Sequence, residues 1–299
     1  MTEGDRRLVP DARAVRRAFE RAAAGYDGAA VVAREVGERM LERLQYIKQA
    51  PRRILDAGCG TGRDTAKLAA HYPEAGIINL DGSPAMLAAG RATAPWWKRQ
   101  LPFLSGSAAH QVCADLQALP LANGTIDFIW SNLALHWCDL DRAITEMHRV
   151  LRTDGLFMFT TLGPDTLKEL RSAFAGLDDD MHVQQFIDMH DIGDALIGGG
   201  FAGPVMDMEI LTVTFADFNA LARELKATGS TNHLPGRRPG LAGKRFWHRA
   251  AERYETYRKE GKLPATVEVI YGHAWKPAPK SVPGRQVVEF RRYQRASDD

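Results

Sequence analysis

Short apolar runs alternate with helix-like segments over the first half of the chain. The runs occupy residues 53–56, 76–81, 111–115, 126–133 and 156–161. They do not alternate with polar residues, so we expect strands that are buried on both faces. The pattern therefore predicts an α/β fold in which a parallel sheet carries helices on both sides.

The two ends of the chain extend this pattern. Residues 11–45 carry apolar residues at three- and four-residue spacing, which predicts two helices with a bend at 25–28. Further helices are predicted at 165–175, 188–197, 217–227 and 241–260, and further strands at 205–215 and 265–275. We divide the chain into an N-terminal helical segment (1–50), an α/β core (51–215), a helical cap (216–262), the last core strand (263–276) and a basic tail (277–299).

Composition places the 299 residues among ordinary globular proteins, with 45% hydrophobic and 25% charged residues. No apolar run reaches the roughly 18–20 residues of a membrane helix, and the first 30 residues lack the apolar core of a secretory signal. Cys59, Cys113 and Cys138 form no Cys-x-x-Cys pair, and no His, Asp or Glu set has metal-ligand spacing. We expect a cytoplasmic protein with no membrane partner and no metal.

Charge is nearly balanced overall, at +2, which gives no argument for nucleic acid as a partner. Residues 217–262 differ, because eleven Lys/Arg against five Asp/Glu give this segment about +6. Two interpretations stay open: a solvated helical face, or a surface for an acidic partner.

A glycine-rich turn follows the first predicted strand. Asp56 ends the run, Gly58, Gly60 and Gly62 follow at alternate positions, and a helix is predicted from Arg63. Glycine has no Cβ and can adopt positive φ, so such a turn lets a ligand lie against bare backbone. The turn predicts a nucleotide-like ligand above the strand ends.

Acidic residues end the neighbouring strands. Asp81 ends the second strand and can accept hydrogen bonds from ribose hydroxyls, although the same spacing would serve a nicotinamide cofactor. Asp56 favours a cationic amino group, because a carboxylate would repel a pyrophosphate. Asp115 can accept a hydrogen bond from an adenine amino group, and Asn132 lies where the fourth strand should end.

These motifs resemble those of class I S-adenosylmethionine-dependent methyltransferases. The resemblance rests on Asp56–Gly62, Asp81, Asp115–Leu116 with Leu119–Pro120, and Ser131–Trp137. It implies S-adenosylmethionine as cofactor and a Rossmann-like seven-stranded sheet with N-terminal helices and a helical cap inserted before the last strand. The cofactor-binding residues it implies are Asp56, Gly58, Cys59, Gly60, Gly62, Asp81, Gly82, Ser83, Met86, Asp115, Leu116, Asn132, Leu133, His136 and Arg34. For Arg34, a charge on the helix surface remains the alternative, and Trp137 beside His136 could equally be a core residue.

A narrower resemblance covers residues 13–275. Phe19–Asp27, Trp130–Trp137, Phe159–Pro164, Asp191–Asp194 and Leu225–Gly229 are similar to the family of malonyl-acyl-carrier-protein O-methyltransferases of biotin synthesis. This implies methylation of the free carboxylate of a malonyl group on acyl-carrier protein or on CoA. The tail beyond Lys276 and an insertion around Trp96–Trp97 depart from the family pattern.

The implied reaction needs little acid–base chemistry. A carboxylate has a reference pKa of about 4 and is ionised near neutral pH, so catalysis should consist mainly of positioning. Lys226 and the loop Thr228–Asn232 are candidates to seat the carboxylate. Tyr26 either closes over the methionine end of the cofactor or is a core aromatic. Candidate contacts for an acidic carrier protein are Arg237, Arg238, Lys244, Arg245 and Arg249.

Three alternatives remain at this point. The chain could methylate another small carboxylate. It could be a relative of the complex I assembly factor that hydroxylates an arginine, a family that shares many of these motifs. It could also bind the cofactor as an assembly protein without turnover. The sequence predicts no oligomeric state.

Overall fold

The computed structural model of the chain describes residues 9–93, 109–235, 237, 240 and 242–278. Three features of the sequence lie outside these residues: the insertion around Trp96–Trp97, the candidate contact Arg238, and the tail beyond residue 278.

Within this described part of the chain, seven strands form one mixed sheet in the order β3-β2-β1-β4-β5-β7-β6. Strands β1 to β5 are parallel, and β7 lies antiparallel between β5 and β6. The strands are β1 (Arg53–Ala57), β2 (Gly76–Asp81), β3 (His110–Cys113), β4 (Ile126–Ser131), β5 (Leu151–Leu162), β6 (Ala202–Phe215) and β7 (Leu263–Trp275). The predicted seven-stranded α/β sheet is confirmed.

Helices cover both faces of this sheet. They are α1 (Ala12–Ala22), α2 (Tyr26–Ala29), α3 (Val31–Arg43), α4 (Arg63–His71), α5 (Pro84–Thr93), α6 (Leu140–Val150), α7 (Lys168–Phe174), α8 (Met189–Gly198), α9 (Phe218–Ala227) and α10 (Lys244–Glu255). The bend expected at residues 25–28 overlaps the short helix α2. Strand β5 begins five residues before its predicted start at 156, because α6 leads directly into extended backbone at Leu151.

Successive strand residues point to opposite faces, which builds two apolar layers. Leu55 and Ile129 pack with α6 and α8 on one face, whereas Ile54 and Phe128 pack with α3 and α4 on the other. Both layers are buried, so apolar residues occupy most positions of the central strands.

The helical cap lies between β6 and β7, where the sequence predicts it. We use "the cap" for α9, α10 and the residues that connect them. Phe218 of α9 and Tyr254 of α10 share a third apolar cluster with Leu170 and Phe174 of α7. Helix α7, which precedes residue 216, therefore packs with the cap.

Candidate functional site

Two cavities adjoin at the carboxyl ends of the parallel strands. The turn cavity, of about 360 Å³, lies over the glycine turn and is also lined by residues of α1 and of the loops after β2, β3 and β4. The cap cavity, of about 470 Å³, lies between the start of α3, α7 and the cap. Cavities of this size hold small ligands, and this edge of an α/β sheet is where such ligands bind.

The glycine turn has the backbone conformation that its sequence predicts. Gly58, Gly60 and Gly62 have φ values of +77°, +55° and +78°. A Cβ at Gly58 would lie 2.3 Å from the Cβ of Ala134, so a side chain does not fit there. Gly58 and Gly60 line the turn cavity, whereas Gly62 precedes α4 and faces Asn79.

Asp56 lies behind this turn. It is buried, and the Thr65 hydroxyl lies 3.0 Å from its Oδ2 and 2.9 Å from Oδ1 of Asn79. Burial and the nearby Asp64 raise the pKa of Asp56 well above its usual value. Asp56 lines neither cavity, since the strand directs its side chain beneath the turn. The structure therefore does not place it for the direct contact with an amino group that the sequence suggested.

Asp81 joins two turns at the edge of the turn cavity. Its Oδ2 accepts a hydrogen bond from the Gly60 amide at 2.9 Å, and its Oδ1 accepts one from the Ser83 amide at 2.7 Å. Burial raises the pKa of this carboxyl, and the two amides oppose that rise. Its remaining lone pairs are the acceptors that a ribose diol requires. Gly82, Ser83 and Met86 line the cavity beside it.

Asp115 and Leu116 line the far side of the turn cavity. Oδ1 of Asp115 accepts hydrogen bonds from the backbone and side-chain nitrogens of Gln117, at 2.8 and 3.1 Å. Cys113 and Cys138 line the same wall, a placement that their spacing in the sequence does not reveal.

Asn132 links the end of β4 to three other elements. Its Nδ2 donates to the Ala33 carbonyl at 2.9 Å and to Oδ2 of Asp64 at 3.0 Å, and its Oδ1 accepts from the Thr160 hydroxyl at 2.7 Å. Leu133 follows at a φ of +49° and lines both cavities. Asn132 thus shapes the wall of the turn cavity while its amide is engaged with protein partners.

Besides Asp56 and Gly62, three predicted cofactor residues lie outside the lining of the turn cavity. His136 lines the cap cavity alone, because the short 3₁₀ helix after β4 turns its ring toward the Thr161 hydroxyl, 3.4 Å away. Burial lowers the pKa of His136 to about 3, so its ring is neutral. Cys59 and Arg34 line neither cavity. The cap cavity is lined instead by the residue before α3 and by the first three residues of that helix, 30–33.

The cap cavity is mainly apolar and brings the proposed carboxylate seat together. Lys226 lines it with Thr228 and Asn232, and Lys226 is the one lysine or arginine among its described lining residues. Asn232 is already engaged: its Nδ2 donates to the Met181 carbonyl at 2.7 Å and its Oδ1 accepts from the Leu234 amide at 3.0 Å. Asn232 therefore holds the loop in shape.

Among the residues that the structure describes, four line both cavities: Phe19, Tyr26, Leu133 and Trp137. The Phe19 ring centroid lies 5.5 Å from that of Trp137 and 6.3 Å from that of Tyr26. Burial and nearby carboxylates, chiefly Asp81, raise the pKa of Tyr26 to about 12, so its phenol is neutral. Phe19 was not among the residues predicted from the sequence, although it begins the motif that ends at Asp27.

The turn cavity fits an adenosine-type cofactor. Gly58 leaves backbone exposed where a Cβ would clash, and Asp81 offers acceptors for a ribose. Among the described residues, no group of three or more His, Cys, Asp or Glu side chains could hold a metal ion. In the same part of the chain, no helix is long and apolar enough to cross a membrane.

Comparisons with known proteins agree with this geometry. A family model described as a methyltransferase domain matches residues 55–159. A malonyl-[acyl-carrier protein] O-methyltransferase of Gallionella capsiferriformans is 55% identical over 91% of this chain and 93% of its own length. A protein of the same name from Laribacter hongkongensis is 51% identical over 97% of this chain and 98% of its own length.

Solved structures share the fold at low sequence identity. The YcgJ protein of Bacillus subtilis has a TM-score of 0.57 and 13% identity, and the match covers 82% of this chain and all of that one. A candidate methyltransferase from Bacillus halodurans has a TM-score of 0.54 and 15% identity over 80% of this chain and 99% of that one. The fold is thus that of the class I methyltransferases.

Proposed function

The chain belongs to the family of malonyl-[acyl-carrier protein] O-methyltransferases, and we propose from this premise that it methylates the free carboxylate of malonyl-acyl-carrier protein in biotin synthesis. The observation that carries the proposal is identity of 50–55% to three proteins of that name, over more than nine-tenths of this chain. Two adjoining cavities suit a reaction between a cofactor and a second substrate.

The turn cavity would hold S-adenosylmethionine. Gly58 and Gly60 would let the cofactor approach the backbone, Asp81 would accept hydrogen bonds from the ribose, and Asp115 would accept one from the adenine amino group. Asp56 would contribute indirectly, because its buried side chain lies beneath the glycine turn and stabilises it. When bound, this cofactor supplies an electrophilic methyl group on a positively charged sulfur.

The cap cavity would hold the malonyl group and the beginning of the carrier arm. A malonyl carboxylate is already ionised near neutral pH, so the protein need not remove a proton from it. The neutral ring of His136 is consistent with this. Near neutral pH the ring carries no proton that it could donate as an acid, and the ionised acceptor needs no base. The protein's contribution is to align the carboxylate with the methyl group and to exclude water.

Lys226 is the cation best placed to seat the malonyl carboxylate. It lies at the end of α9 with its side chain exposed, so its attraction is moderate and leaves the oxygens nucleophilic. Glu224 lines the same cavity and would repel a carboxylate that strays toward the middle of α9. These two charges would hold the acceptor near the end of the helix.

The proposal is tested by incubating the chain with isotope-labelled S-adenosylmethionine and, separately, malonyl-acyl-carrier protein, malonyl-CoA and malonate. We expect mass spectrometry to show one added methyl on the malonyl group of the carrier protein, with less on CoA. Asp81→Ala should abolish cofactor binding, whereas Asp141→Ala on the exposed face of α6 should not. Absence of methyl transfer to all three substrates would refute the proposed function.

A further inference from the structure

The wall between the two cavities is the place where a methyl group must cross. In the proposed reaction the donor lies in the turn cavity and the acceptor in the cap cavity, and in-line displacement requires sulfur, methyl carbon and oxygen to be nearly collinear. The transferred methyl therefore lies among the residues that line both cavities: Phe19, Tyr26, Leu133 and Trp137.

None of these four side chains carries a charge. The described carboxylates of the two cavities lie to either side: Asp81 and Asp115 line the turn cavity, and Glu224 lines the cap cavity. A carboxylate in the shared wall would attract the sulfonium, but it would also repel the malonyl carboxylate and compete with it as methyl acceptor. An enzyme that methylates carboxylates thus needs another means of holding a cation at this point.

Aromatic faces provide that means, because the ring quadrupole attracts a cation without a net negative charge. The planes of Phe19 and Trp137 meet at 83° with centroids 5.5 Å apart, and those of Phe19 and Tyr26 meet at 62° with centroids 6.3 Å apart. The rings consequently form a corner around Phe19 rather than a stack. We propose that Phe19, Tyr26 and Trp137 are an aromatic seat for the sulfonium methyl group, which selects the charged cofactor over its demethylated product.

The selectivity follows from the charge balance of the reaction. A carboxylate oxygen forms a bond to the methyl carbon, the carbon–sulfur bond breaks, and its electron pair stays on sulfur. The negative charge on oxygen and the positive charge on sulfur both disappear, so the thioether product loses its attraction to the rings. The seat should thus favour cofactor binding and product release, rather than lower the barrier to transfer.

This inference rests on the proposed function, and binding measurements on the full chain test it separately from turnover. We expect Phe19→Leu to raise the dissociation constant of S-adenosylmethionine about five- to tenfold in calorimetry and that of S-adenosylhomocysteine less than twofold. Trp137→Leu should act in the same direction, and Phe19→Tyr should keep the wild-type ratio of the two constants. Thermal unfolding of each variant identifies any loss of fold.

Phe186→Leu is the matched control, because Phe186 lines the cap cavity only and its ring lies 5.7 Å from that of His136. It should leave the ratio of the two constants unchanged. If Phe19→Leu and Trp137→Leu weaken both ligands equally, or neither, the rings act by packing alone and the inference is overturned. A wild-type chain that binds neither ligand overturns the cofactor assignment as well, whereas binding without methyl transfer to malonyl substrates refutes only the proposed function.

Discussion

At Gly58 the turn cavity depends on the absence of a single methyl group. The φ of this residue is +77°, and a Cβ added here would lie 2.3 Å from the Cβ of Ala134. We predict that Gly58→Ala lowers the free energy of unfolding by about 2–4 kcal/mol and abolishes measurable S-adenosylmethionine binding. Denaturant unfolding and calorimetry measure the two effects.

Gly193→Ala is the control for this substitution. Gly193 lies in α8, its φ is not positive, and apart from its chain neighbours and the backbone of its own helix no described atom lies within 4 Å of an added Cβ. It should be neutral or slightly stabilising, since alanine favours helices. Wild-type stability and cofactor affinity in Gly58→Ala would contradict the role given to the turn.

Lys226 provides a second test at residue scale. We predict that Lys226→Ala raises the KM for malonyl substrates about five- to tenfold with little change in S-adenosylmethionine affinity, and that Lys226→Arg is milder. Arg223→Ala is the control, because Arg223 is exposed on the same helix but lines neither cavity. Equal effects of the two alanine variants on the KM would argue for a general charge effect instead.

The neutral ring of His136 predicts a dependence of stability on pH. Its pKa is about 3 in the folded chain and about 6.5 when unfolded, so between these values only the unfolded chain binds the proton. Stability is thus lost as the pH falls through this window. Between pH 7 and pH 5, the wild type should lose about 2 kcal/mol more than His136→Gln in denaturant unfolding. Equal losses would show that the ring is solvated.

Sequence patterns located the site residues better than they oriented them. The glycines, Asp81 and Asp115 lie at strand ends, where topology alone brings side chains to one edge. Asp56 and His136 belong to the same motifs, yet one points beneath the turn and the other into the cap cavity. Side-chain direction at a strand end depends on local backbone torsion, which the spacing of motifs does not specify.

At the scale of elements, α9 is the first helix of the cap after β6, and it carries Lys226. Its N-cap is Asp217, whose carboxylate accepts a hydrogen bond from the Ala220 amide at 2.7 Å. We predict that Asp217→Ala costs about 1 kcal/mol in stability and raises the KM for malonyl substrates a few-fold, with unchanged cofactor affinity.

Asp217→Asn keeps the capping oxygen and is the control. Thermal unfolding and steady-state kinetics compare the two variants. An increase in the KM for Asp217→Asn as large as for Asp217→Ala would mean that the charge, and not the cap of the helix, matters.

Most elements could be predicted because their boundaries are chemically marked. Asp139 caps the N-terminus of α6, and Asp188 caps that of α8. Strand β1 ends directly before Gly58, the first glycine of the glycine turn. The early start of β5 could not be predicted, because Thr153, Asp154 and Gly155 favour a turn. The Asp154 amide instead donates to the Lys276 carbonyl, a tertiary contact that a local pattern cannot reveal.

At the scale of the molecule, charge on α10 suggests where a carrier protein docks. Lys244, Arg245 and Arg249 are exposed on this cap helix. We predict that replacing all three with glutamate raises the KM for malonyl-acyl-carrier protein about tenfold at low salt, and less at about 0.15 M salt. The KM for malonyl-pantetheine should not change, because in this substrate the malonyl group is attached to an uncharged arm without the acidic carrier protein.

Lys48→Glu is the control for this series. Lys48 is exposed and precedes β1, so it lies near the amino ends of the parallel strands, away from both cavities. Steady-state kinetics at two salt concentrations make the comparison. An unchanged KM for the carrier substrate in the triple variant would exclude α10 as the docking surface.

The position of β7 governs when the chain can finish folding during synthesis. In the described sheet, β6 pairs with β7 alone, and the cap lies between these two strands in the sequence. The five parallel strands can assemble on the ribosome, but β6 has no partner until residues 263–275 emerge from the exit tunnel. A nascent chain should therefore acquire its glycine turn early and its cap cavity last, and a truncation before residue 263 would leave β6 as an exposed edge that can pair with another chain.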